Sequence, residues 1–483
     1  MMANPVQDTL ARTQDRLSTG WDDWAVTPAD LRGIATDLDS LSPSQRNAVV
    51  EQLTDEDLQR LAGEIMQTRP LIGGLGASER QELFADLARG LDGDQLGRLA
   101  EAFATTGGNS DGFTPIGELA QAVATFSGTD QKLAFLAELA PLTTDSTAFV
   151  DTGLGYTNTT YADSQASAVG TVLASMRGQA IAEGLSLLDD RQLQAVINSS
   201  VEASSFRSSM GRNTTATHTW DTAGFENIME AVSSARPIAG SSSVDAAEQK
   251  ARVFEAAGNA LAEIDGTSTI PGGLVVMGKD ITMQAVATEM ADLLQSDTTG
   301  IMTEMTYDAR FDEGTAMTAF SKVMLNTGGE ERLGEIMLQL QMGNDGSQNP
   351  VDYLEQQTVL GPGRTINANA GALGYFVGSV YAGAEQISSD IAAQQELVTG
   401  MLQSVLTVID KSGVGGRLTA MSASLARVWV GDAVSAAIND PGASPAQRLE
   451  DAALPVNAAN DRAVSDAANS AFDDSISKIL RNN

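Results

Sequence analysis

The sequence predicts an all-α fold, an irregular array of short helices and helical hairpins with room for one small β-hairpin. Three observations carry that expectation. A single start signal recurs four times, as Val26-Thr27-Pro28-Ala29-Asp30-Leu31, Leu53-Thr54-Asp55-Glu56-Asp57-Leu58, Leu91-Asp92-Gly93-Asp94-Gln95-Leu96 and Leu188-Asp189-Asp190-Arg191-Gln192-Leu193. In each, the Thr or Asp is placed to accept a bond from the backbone N–H three residues on. The Asp or Gln at that place bonds back, and the flanking apolar pair staples the entry turn. Proline stands at the first helical position at Pro28, at Pro43 after Ser42 and at Pro115 after Thr114. Its missing N–H is harmless there, because that donor has no partner inside the helix. Finally, 53–62 aligns with 91–100 without gaps, each closing on Leu-x-Arg-Leu-Ala, a repeat of about 38 residues near the period of two-helix solenoid units. The copy at Leu188 is distant, which makes the array irregular.

In chain order, helices are expected over 27–38, 42–53, 54–66, 78–91, 92–104, 114–126 and 129–139, so that 1–140 forms a repeat-like helical domain. Two Thr-rich stretches, 143–160 and 213–222, then interrupt the helical text. Their β-branched and aromatic residues favour extended backbone, and they are expected to pair as the hairpin. Helices resume over 166–183, 190–200, 225–235, 244–263, 281–294, 314–324 and 330–341, giving a central domain over 141–342. The Pro, Gly and Ser of 236–243 mark a loop, as does 343–364. The region 343–483 holds helical runs beginning at Ala370, Asp390 and Leu418, and then a polar tail rich in Ala, Asp and Asn.

Hydrophobic residues make up 42% of the 483, enough to bury real cores, but alanine supplies much of this and aromatics only 5%. Helices should therefore pack closely through small residues and leave modest pockets. With 63 acidic against 29 basic residues the formal charge is −34. Such a surface repels phosphate backbones, so no nucleic-acid partner is expected. Anionic membranes are disfavoured at neutral pH, a bar that protonation of carboxylates relaxes. Cysteine is absent, which excludes disulfides, Cys-ligated zinc sites and thiol nucleophiles. The first residues carry neither a basic nor an apolar segment, so no cleavable signal peptide is read. Export is expected by another route, from a cytoplasmic precursor.

Four segments bear on chemistry. From Gly107 to Glu118 the chain approaches a calcium loop, with Asn109, Asp111, Gly112 and Glu118 at positions 3, 5, 6 and 12. This makes Asn109, Asp111 and Glu118 the candidate metal ligands. Gly107 stands where the first carboxylate belongs, and Thr114-Pro115 already explain the segment as a helix start. The plain expectation is an inter-helix turn with no cofactor required. Gly273-Leu274-Val275-Val276-Met277-Gly278-Lys279-Asp280 spells a phosphate loop up to its last letter. There Asp280 replaces the hydroxyl that would bind magnesium, so an apolar lead-in to a helix is expected. His218, the only histidine, lies in Thr217-His218-Thr219-Trp220-Asp221. An imidazole beside hydroxyls and an acid has the makings of a general base, yet no Gly-x-Ser-x-Gly elbow accompanies it. No catalytic residue is assigned, and a hydrolase built on these loops is an alternative.

The fourth segment, 365–384, is free of charge and places Gly374, Gly378 and Ala382 four apart on one helix face. Small residues so spaced allow close helix approach in water or in lipid. The apolar run falls short of the ~20 residues needed to span a bilayer, and 397–409 is shorter still. A buried helical hairpin is expected. A membrane-permeabilising hairpin over 370–409, inserting after an acid-triggered or partner-triggered opening, is the alternative.

Lys250-Ala251-Arg252-Val253-Phe254-Glu255-Ala256-Ala257-Gly258, the start signal at Leu188, and above all Leu373-Gly374-Tyr375-Phe376-Val377-Gly378-Ser379-Val380 resemble the large helical regions of secreted bacterial polymorphic toxins and effectors. The similarity runs over about residues 50–440. In that family the region resembles a carrier ahead of a short toxic domain, whereas the stretch after Asn439 here is shorter than a usual enzyme domain. The resemblance implies a non-enzymatic helical body acting through protein partners, such as a secretion chaperone, an immunity protein or the secretion apparatus.

Overall fold

Helices begin where the start signals stand. In the computed structural model, which describes residues 4–18, 26–66, 75–105, 116–143, 148–151, 156–160, 165–201, 204–210, 213–219, 222–236, 245–266, 275–277, 279–311, 314–345, 347–360, 364–388, 397, 400 and 466–482, the fold is all-α with short strands inserted. The order opens α1 (Pro5–Leu17), α2 (Pro28–Asp39), α3 (Pro43–Gln52), α4 (Asp55–Met66), α5 (Ala77–Gly90), α6 (Gly93–Thr105), α7 (Ile116–Phe126) and α8 (Thr129–Leu139). Thr27 N–H donates to Asp30 Oδ2 at 2.9 Å while Asp30 N–H donates to Thr27 Oγ1 at 3.3 Å. The same reciprocal pair forms between Thr54 and Asp57, at 3.2 and 3.1 Å, and between Asp189 and Gln192, both at 2.8 Å. The third copy departs, because Asp92 N–H donates to the Asn47 side chain at 2.9 Å and ties α6 to α3. All four staples are buried, from Val26 with Leu31 to Leu188 with Leu193.

The repeat has a physical purpose at its arginine. Arg60 in α4 donates to the Leu17 carbonyl at the end of α1, 3.0 Å away. Arg98, its counterpart in α6, donates to Val50 O at 3.3 Å and Leu53 O at 3.2 Å at the end of α3, and pairs with Asp55 at 3.0 Å. Each arginine thus bonds carbonyls at the C-terminus of an earlier helix, where a cation also complements the helix dipole.

The Thr-rich stretches are extended, but they do not pair with one another. β1 (Ala148–Asp151) and β2 (Tyr156–Thr160) form a hairpin, as do β3 (Ser204–Met210) and β4 (Asn213–Thr219). β2 then pairs antiparallel with β3, and β4 takes β5 (Val275–Met277) in parallel, giving the order β1-β2-β3-β4-β5. Closing a hairpin locally costs less chain entropy than joining strands some fifty residues apart, which is why each stretch finds its nearest neighbour first. The expected helix over 166–183 is two, α9 (Gln165–Ala174) and α10 (Gln179–Ser186), broken at Gly178 with φ +61°. α11 (Asp190–Val201) and α12 (Ala223–Ser233) follow.

The chain divides into two compact units, one of Met1–Val244 with Thr267–Thr282 and one of Asp245–Gly266 with Met283–Asn483. In the first, Phe84 of α5 meets Phe103 of α6 edge to face at 5.8 Å, within a core built mainly from Leu, Val, Ile and Ala, to which Phe135 and Phe225 add two further buried rings. The second contains α13 (Ala246–Gly266), most of α14 (Lys279–Ser296), α15 (Thr298–Tyr307), α16 (Thr315–Asn326), α17 (Glu330–Met342), α18 (Pro350–Leu354), a hairpin of β6 (Thr358–Leu360) and β7 (Arg364–Ile366), α19 (Ala368–Ile387) and α20 (Asp466–Asn482). Phe254 of α13 and Phe320 of α16 meet edge to face at 5.4 Å. The tail expected to be polar therefore carries a helix, α20, and the loop over 343–364 carries α18 and the β6–β7 hairpin.

Candidate functional site

α19 is the axis of the second unit. It is buried on nearly its whole circumference, from Ala368 to Ala384, with α15, α16, α17, α18 and α20 around it. A helix apolar all round is stable only when enclosed in this way. Three of its buried polar side chains are hydrogen-bonded: Asn369 Nδ2 donates to Tyr353 O at 2.9 Å, Tyr375 OH to Phe311 O at 3.2 Å and Ser379 Oγ to Tyr375 O at 2.9 Å.

The small-residue face of α19 is where α20 lies. A Cβ on Gly374 would collide with the Phe472 carbonyl, and one on Gly378 would stand 3.3 Å from Ile476 Cα. Ala382, the third small residue, is buried as well. On the opposing helix Ala468, Phe472, Ile476 and Ile479 are buried, at the four-and-three spacing of one helix face, while Asp474 is exposed. Lys478 Nζ also reaches Thr306 O of α15 at 3.2 Å. Among the described residues, no helix is long and apolar enough to cross a membrane. The second arm expected over 397–409 lies, apart from residues 397 and 400, outside the described residues.

Beyond the end of α15 stands a carboxylate group held by one cation. Arg310 pairs with Asp308, its Nε 2.8 Å from Asp308 Oδ2, and with Glu248 at 2.7 Å. Burial first, then the charges of Asp245, Glu248 and Asp308, push the Glu304 carboxyl above its usual range, against the pull of Arg310.

In the first unit a cleft of about 430 Å³ opens between α7, α9, α11 and α12. α9 contributes Ser167 and Thr171, spaced four apart and hence on one face, with Gly170 and Ala174 beside them, and Ser175 continues that spacing in the turn just past the end of α9. α7 adds Gln121 and Thr125, α11 adds Ser199 and Ser200, and α12 adds Asn227 and Ile228. The lining is neutral throughout. Hydroxyls at 167, 171 and 175 are the one signal of this cleft that the sequence carries.

The other candidates lie apart. Glu118, on α7, accepts from Arg80 Nε and Nη2, both at 2.8 Å, and Arg80 also holds the Leu75 carbonyl at 3.1 Å. Its carboxylate is thus engaged by a buried guanidinium, while Asn109 and Asp111 lie outside the described residues. Among the described residues no group of three or more His, Asp or Glu side chains comes together as a metal site. His218 is a residue of β4, in register with Ser205 of β3 and Val276 of β5. Of the phosphate-loop spelling, 275–277 form β5 and Lys279 begins α14, while 267–274 and 278 lie outside the described residues.

No family model matches the chain, and no curated protein matches it in sequence.

Proposed function

We propose that this chain is the helical body of a bacterial secreted effector or toxin-delivery protein, and that it acts by binding protein partners without catalysing a reaction. The observation that carries this is the seat of α20. An amphipathic helix from a separate part of the chain lies along a glycine face of α19, the mode in which grooves receive partner helices. The partners would be a secretion chaperone, an immunity protein or the secretion apparatus. Export as an unfolded chain is supported by two features. The absence of cysteine leaves nothing to cross-link an unfolded chain. The start signals are local, so α2, α4 and α11 carry their own instructions for re-forming after passage.

The test is expression in a bacterial host, either in the cytoplasm or directed to the periplasm, with growth and entry of a membrane-impermeant dye followed. Normal growth from both compartments is the expected result for a carrier body. Dye entry from one compartment overturns it in favour of membrane attack. Arrest without dye entry overturns it in favour of an enzyme, and His218→Ala would then be the first variant to compare.

A further inference from the structure

We propose that the cleft between α7, α9, α11 and α12 binds a primary ammonium group carried on a short alkyl chain. A serine or threonine hydroxyl holds one proton and two lone pairs. At five positions of the lining that proton is already committed to a carbonyl one turn earlier. Thr125 donates to Gln121 O at 2.7 Å, Thr171 to Ser167 O at 2.9 Å, Ser175 to Val172 O at 2.6 Å, Ser199 to Val196 O at 2.9 Å and Ser200 to Ile197 O at 2.7 Å. Helical hydroxyls commonly bond back in this manner. Here five of them converge from three helices on one cleft, and what they have left to offer is lone pairs.

Acceptors therefore dominate the walls. Gln121 directs an amide N–H at Thr125 Oγ1, 3.4 Å away, so that donor is engaged within the wall, and Asn227 brings the other side-chain amide of the lining. The complement to such a wall is a group that brings protons and needs no lone pair in return, and an ammonium brings three. None of the lining residues carries a charge, so no wall repels a cation, and the formal charge of −34 draws cations toward the protein. Ala124, Ala174 and Ile228 provide apolar surface for methylenes, and about 430 Å³ falls in the range that small ligands fill. A free diamine and the lysine side chain of a partner protein present the same chemistry.

Calorimetric titration of the full chain at physiological salt, with putrescine against butanediol as its neutral counterpart, tests the site. Putrescine is expected to saturate at one per chain and to bind about tenfold more tightly than the diol, since bonds to a charged donor are the stronger. Thr171→Val and Ser200→Ala, both on partly exposed positions, are each expected to weaken it about fivefold. A lysine derivative blocked at its α-amine that competes as well as putrescine supports a partner's lysine as the source. Failure of that derivative to compete, with putrescine still bound, supports the free amine. Putrescine that does not saturate overturns the proposal, and so does binding left unchanged in both variants, which would be counterion attraction to the acidic surface.

Discussion

Glu304 and Asp57 are two carboxylates whose surroundings act with opposite sign. Burial and three neighbouring acids raise the Glu304 pKa from its ordinary 4.5. The folded state then holds a proton more tightly than the unfolded chain. The cost of ionising it grows as pH rises from 4.5 through the folded value, and it is fully present above that. Glu304→Gln is therefore expected to unfold at a higher temperature than the native chain at pH 7, with the difference vanishing below pH 4.5. Thermal melts at the two pH values check it. Burial also opposes the charge of Asp57, but hydrogen bonds from Gln14, at 3.1 Å, and from Thr54, with the Arg60 charge nearby, outweigh it and lower the pKa below 3.8. Its contribution is present above 3.8 and is lost as pH falls through the folded value. Asp57→Ala removes the return half of a capping box and is expected to cost about 1 kcal/mol at neutral pH, read from urea unfolding.

At the scale of elements, the packing of α19 on α20 depends on what glycine leaves out. Gly374→Val is expected to destabilise the second unit by about 1–3 kcal/mol, because its side chain must displace the Phe472 backbone. Gly378→Ala, whose Cβ meets Ile476 and Ile479 at 3.3 Å, is expected to cost less, and denaturant unfolding of the two variants orders them. The glycine spacing was legible in the sequence, but its partner was not. Around Phe472, Ile476 and Ile479 the chain is so rich in Ala, Asp and Asn that the apolar stripe is masked by composition, though it has the period of a helix. Helix starts were read well because Thr27, Thr54 and Asp189 signal to residues three positions away. Gly178 divides α9 from α10 by a positive φ that the surrounding helical pattern does not announce. The cleft was half legible. Ser167, Thr171 and Ser175 share a face by spacing alone, while the approach of α7, α11 and α12 is a matter of tertiary packing.

Across the whole molecule, a formal charge of −34 means that folding gathers like charges into a smaller volume. Raising sodium chloride from low to physiological concentration is expected to raise the melting temperature of the chain, since it shortens the Debye length from about 30 to 8 Å. A melting temperature that falls or stays level would mean that ion pairs such as Arg98 with Asp55 outweigh the repulsion. Strand order belongs to this scale too, which is why Thr-rich composition foretold extended backbone but not the position of β3 between β2 and β4. The separation of α19 from α20 has a further consequence in time. α19 ends at Ile387 and α20 begins at Asp466, so about 80 residues of synthesis lie between them. At the usual ~5–20 residues per second, the growing chain carries an uncovered glycine face for roughly 4–16 s before its own helix emerges to close it.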